Sequence, residues 1–150
     1  MTRAGAGTAT QRAGRGQSPL WWASTAAVGM LCVVLVVGGI LLVTLASSRD
    51  DPHGYVTFFS VLVLALLLPP TIFALAGIVG LLRRRRHGYV CAGVAHAWVA
   101  LDAALVLGMN TSSPGSDGIS AWEIFLPALI VSIGVAFAIV SVLGARNVAP

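Results

Sequence analysis

Two side chains capable of proton chemistry, His96 and Asp102, stand in the otherwise apolar run His96-Ala-Trp-Val-Ala-Leu-Asp102. An imidazole changes charge near neutral pH, and a carboxyl group inside a membrane can bind a proton or a cation. On one helix, six residues at 100° each leave these side chains about 120° apart around the axis and about 9 Å apart along it. They therefore do not form a direct dyad, and each is a separate candidate for an intramembrane proton or hydrogen-bond site. For His96 the ordinary state is a neutral ring bonded to a neighbouring carbonyl.

Other reactive residues give weaker patterns. His87 and Cys91 are four apart, the spacing that lets two ligands share one helix face, but zinc needs more ligands and none is near them. No metal site is expected. His53 and His87 fall in polar segments, which argues against a haem held between two spans, and no other cofactor has a motif. The chain has no G-x-S-x-G, no glycine-rich phosphate loop and no paired carboxylates within an apolar run, so enzymatic activity is not expected.

The elements that must position these residues belong to a membrane. Of 150 residues, 57% are hydrophobic and 9% charged, and the mean hydropathy is +0.92, whereas soluble domains carry about 25% charged residues. The net charge of +4 comes entirely from arginine, with no lysine present. In so apolar a chain a basic excess sets membrane orientation and meets anionic headgroups rather than nucleic acid. The dominance of Ala, Gly and Val, with arginine as the sole strong base, points to a GC-rich bacterial source and its plasma membrane.

Four apolar runs are long enough to cross a hydrocarbon core of about 30 Å. They cover about 21–46, 55–82, 88–109 and 121–145 within a membrane domain of residues 20–146. Residues 1–19 read as a disordered basic tail and 147–150 as a short stub. The first run exceeds the apolar stretch of a secretory signal and is expected to stay uncleaved. Short connections imply an all-α, up-and-down antiparallel four-helix bundle with no soluble domain.

With the N-terminus inside, Arg3, Arg12, Arg15, Arg83, Arg84, Arg85, Arg86 and Arg146 are all cytoplasmic, and Arg49 lies outside beside Asp50 and Asp51. Both termini are then cytoplasmic. Asp117 and Glu123 fall on the outer side, Trp21 and Trp22 mark the inner interface, and Tyr55 and Trp122 mark the outer one. Arg83 to Arg86 reads as a topology anchor in contact with lipid headgroups. Cys32 and Cys91 differ in depth by about 10 Å, beyond the reach of a disulfide, and are expected as free thiols.

Asp102 demands the most explanation. At a span centre it costs about 2.5–3.5 kcal/mol, against a contribution of about 2–4 kcal/mol from Val90, Val94, Val99, Leu101, Leu105, Val106 and Leu107 together. The third span is marginal by itself. One partner is suggested by Pro69 and Pro70, which cannot donate to the carbonyls of Ala65 and Leu66 at a similar depth. A protonated Asp102 bonded there would tolerate Asn and reject Leu. The proline pair otherwise reads as a kink or, in a moving protein, a hinge.

Three further patterns carry no catalytic role. Ser120-Ala-Trp-Glu123 is a capping box, which accounts for the glutamate. Asn110-Thr-Ser is a glycosylation acceptor by pattern, irrelevant in a bacterium. Small residues recur every four positions in Ala92, His96, Ala100 and Ala104, in Ala76 and Gly80, and in Gly134 and Ala138, rows that let helices approach closely. The expected function is that of an accessory, regulatory or assembly component, acting through helix contacts with a second copy or a membrane protein partner. The alternative is a small proton-linked transporter or channel subunit that uses Asp102 with a Pro69-Pro70 hinge.

Overall fold

Hydrocarbon leaves the backbone no water to bond, so a spanning segment must satisfy its own N–H and C=O groups, and a long apolar run becomes a helix. A computed structural model describes residues 19–47, 54–112 and 120–147, and they form four helices: α1 (Pro19–Ala46), α2 (Tyr55–Leu82), α3 (Arg86–Ser112) and α4 (Ala121–Asn147). Each is long and apolar enough to cross a membrane. Helices of 27 or 28 residues are about 40 Å long, so their ends reach beyond a 30 Å hydrocarbon core toward the headgroups. The tail 1–18, the loop residues Arg49, Asp50, Asp51 and His53, Asp117, and residues 148–150 lie outside the described residues.

The helix ends have local causes. Pro19 opens α1, where a missing N–H and a fixed φ suit the first turn. Gly54, at φ 71°, precedes α2 in the left-handed region that favours glycine. At the far end of α2, Arg84 adopts φ 53°; its N–H donates to Leu81 and that of Arg85 to Gly80. That pair of bonds is a Schellman stop, which lets α3 begin at Arg86. Before α4, the Ser120 N–H donates to Glu123 Oε2 at 2.9 Å, and the Glu123 N–H lies 3.4 Å from Ser120 Oγ. The capping box read from the sequence is therefore present.

Four ends extend past the sequence reading. α1 begins at Pro19, within the expected tail, α3 runs from Arg86 through Asn110 to Ser112, and α4 takes in Arg146 and, from the expected stub, Asn147. Asn110 is thus helical rather than a loop residue, and its Nδ2 donates to the Glu123 carbonyl at 2.9 Å, tying the end of α3 to the start of α4.

Packing runs in chain order. α3 packs most extensively on α4 and then on α2, α1 packs on α2, and α1 meets α4 over a shorter stretch. Among the described residues α2 and α4 do not touch. The core is small in every sense: Val28, Leu35, Ala74, Leu81, Tyr89, Ala92, Ala95 and Ala145 form it, while long aliphatic side chains such as Val33, Leu41, Leu62 and Leu105 lie on the exterior. That inversion is expected where the surrounding solvent is as apolar as leucine and helix contacts depend on close backbone approach.

Candidate functional site

α3 carries both candidate proton groups, and its position is set by glycines on its neighbours. A Cβ on Gly77 of α2 would come 2.9 Å from the Ala92 nitrogen, and one on Gly134 of α4 would come 3.0 Å from the His96 carbonyl oxygen. Gly80 and Gly88 meet backbone to backbone at the turn between α2 and α3, and the Tyr89 ring occupies the space beside Gly144. Only residues without side-chain bulk allow these approaches.

His96 is buried in this packing. Its Nδ1 donates to the Ala92 carbonyl at 2.7 Å, since a carbonyl can only accept. The ring faces Phe137 of α4 with centroids 5.5 Å apart and also meets the Ala27 backbone of α1. The bond to a carbonyl of the preceding turn is the one expected from the sequence. His87 and Cys91 gather no third metal ligand among the described residues, and Cys32 and Cys91 are free.

Asp102 is half-buried and lies one turn after Trp98, whose indole interacts with its carboxyl. The Trp98 Nε1 itself is buried without a hydrogen-bond partner in good geometry. No hydrogen bond joins Asp102 to Ala65 or Leu66, both of which are exposed positions on α2, so the expected carbonyl partner is not the one the bundle supplies. The physical reason is rotational. Matching depth along two helices does not place two groups on facing sides, and the α2 face turned to α3 is that of Gly77 and Gly80. Pro69 and Pro70 lie within a continuous α2. The Thr71 hydroxyl one position later donates to the Leu67 carbonyl at 2.7 Å.

Arg83, Arg84, Arg85 and Arg86 gather with Arg146 at one end of the molecule. The Trp21 indole there donates to the Leu81 carbonyl at 2.9 Å, joining the start of α1 to the end of α2. Arg84 lies 5.9 Å from the Trp21 ring centroid, within cation–π range. Glu123 and Asn110 mark the opposite end.

Several features have no strong sequence signal. Ser24 and Thr25 of α1 present buried hydroxyl oxygens without partners. The hydroxyls of Thr44, Thr71, Thr111 and Ser132 bond carbonyls of their own helices. Gly80 and Gly134 of the sequence rows make close contacts, as do Gly77, Gly88, Gly93 and Gly144 outside them, whereas Ala76 and Ala104 of the rows are exposed. A step of four residues advances about 400°, so a row drifts about 40° per step and leaves the interface after two or three steps. Buried Ala103 takes the place expected for Ala104.

Three grooves mark the outer surface. One lies between α1 and α2 and is lined by residues such as Leu35, Gly39, Leu64 and Thr71; the other two lie between α3 and α4. Neither His96 nor Asp102 lines any of them. Comparison with protein-family models, with curated proteins and with solved structures finds no match to this chain.

Proposed function

We propose that this chain is a non-enzymatic accessory, regulatory or assembly component of a bacterial plasma membrane. Its four helices run up and down in antiparallel order with both termini in the cytoplasm, and it acts through helix contacts with a second copy or a membrane protein partner. The orientation follows from arginine placement: Arg83 to Arg86 and Arg146 share one end, and cytoplasmic ends carry the positive excess. The observation that carries the functional reading is the engagement of His96. Its Nδ1–H donates to the Ala92 carbonyl inside the packed core, and His96 lines none of the three surface grooves.

A second reading, a small proton-linked transporter or channel subunit, is favoured by one feature. Asp102 is half-buried with no cross-helix hydrogen bond, and an oligomer could bring several such carboxyls to a shared pathway beside a Pro69-Pro70 hinge. One pair of measurements separates the two. The accessory reading expects a defined chain to co-purify in mild detergent, with Asp102→Asn retaining it. The transporter reading expects substrate-dependent proton movement in liposomes that Asp102→Asn abolishes, and that result would overturn our first reading.

A further inference from the structure

The two grooves between α3 and α4 share Ala97, Ala138, Val142 and Arg146, and so form one continuous channel on the outer face, with parts of about 620 and 430 Å³. No residue of α1 or α2 lines it. Its character changes along its length. Arg86, Arg146 and Tyr89 stand at one end, and beyond Gly93 the lining is aliphatic, reaching Ala104 on α3 and Val131 on α4. From Arg146 to Val131 is fifteen residues, about 22 Å of helix, which matches one leaflet of about 15 Å plus the reach into its headgroups.

The arginines have no acid to meet within the bundle. Glu123, on the same helix as Arg146, is about 35 Å away, and Asp102, on the same helix as Arg86, is about 24 Å away; these are the only acidic residues among those described. Both guanidiniums are exposed. The channel follows the seam where Gly93 against Ser141 and Gly134 against Ala100 draw the two helices together. The small residues Gly93, Ala97 and Ala100 leave room along the seam for a polymethylene chain, and the arginines at its end match an anionic headgroup.

We infer that this channel is a binding site for an anionic phospholipid, with one acyl chain seated over Ala97 and Ala138 and the phosphate held between Arg86 and Arg146. Two planar guanidiniums at the headgroup level give a phosphate charge-assisted, bidentate contacts that a zwitterionic surface does not reward equally. The inference rests on the membrane-spanning part of the proposed reading and is independent of any accessory or transport role.

The test is lipid selectivity in vesicles of four parts phosphatidylcholine to one part phosphatidylglycerol, with a trace of either lipid spin-labelled on its chain. Wild-type protein is expected to hold motionally restricted phosphatidylglycerol in preference to phosphatidylcholine. Arg86→Gln and Arg146→Gln should each reduce that preference about fivefold, the factor for one arginine near an anionic surface. Ala97→Trp, at an exposed position, should remove the restricted anionic lipid by filling the slot. Arg83→Gln/Arg85→Gln, which changes charge at the same end but outside the channel, should leave most of the preference intact. An equal loss in that control, no effect of Ala97→Trp, or a dimer that Ala97→Trp dissolves would each overturn the site, the last by assigning the channel to a second copy. Failure of the protein to resist alkaline extraction from the vesicles would instead refute the membrane-spanning reading.

Discussion

At the scale of single residues, Asp102 is the group whose environment least resembles its chemistry. A lone carboxyl in a span costs about 2.5–3.5 kcal/mol, and leucine there contributes about 0.5 kcal/mol in the opposite sense. Because the bundle supplies no cross-helix hydrogen bond, Asp102→Leu should improve insertion of the isolated third span by about 3 kcal/mol and leave the full chain at least as heat-stable in detergent as wild type. Asp102→Asn should fall between the two. A marked loss of melting temperature in the leucine variant alone would show that the folded bundle does pair the carboxyl. The sequence made Asp102 conspicuous through cost alone; what it meets depended on helix rotation, which no single span encodes. His96 was more readable. A histidine in a helix always has the preceding turn's carbonyl within reach, and Ala92 supplies it.

At the scale of the element, the ends of the helices were legible because capping is local chemistry. Ser120 and Glu123 are three residues apart and satisfy each other's backbone N–H groups. Interfaces were less legible, since small residues also occur where nothing packs. Gly88 and Gly108 lie on the same helix, yet a Cβ on Gly88 would fall onto the backbone of Gly80 and Leu81, and one on Gly108 meets nothing within 4 Å. Gly88→Ala should therefore destabilise the bundle by about 1–3 kcal/mol or more through forced separation of α2 and α3. Gly108→Ala should be neutral or stabilising by about 0.5–1 kcal/mol through helix propensity. Thermal melts of the two variants in one detergent check the contrast, and similar losses would mean that the α2–α3 approach is looser than described.

At the scale of the whole molecule, charge and packing coincide. The contacts of Trp21 with Leu81, Gly80 with Gly88, and Tyr89 with Gly144 bring the start of α1, the end of α2, the start of α3 and the end of α4 to the arginine-rich end. If that end faces the cytoplasm, a cysteine placed after Asn147 should resist membrane-impermeant thiol reagents in intact cells, and one placed between α3 and α4 should react. The reverse pattern would invert the molecule, and reaction of both would break the four-span arrangement.

What the sequence by itself determined is the set of four helices long and apolar enough to span a membrane, because hydrocarbon admits only long, internally bonded apolar helices. Tertiary structure alone decided which side of each helix faces which. It chose Gly77 over Ala76 and Ala103 over Ala104, left Asp102 without a hydrogen bond to the Ala65 or Leu66 carbonyl, and set Arg86 and Arg146, sixty residues apart, on one groove. The physical reason is that the spans are apolar on every side: with no polar face to orient them, only the fit of small residues against a neighbouring backbone fixes their rotation.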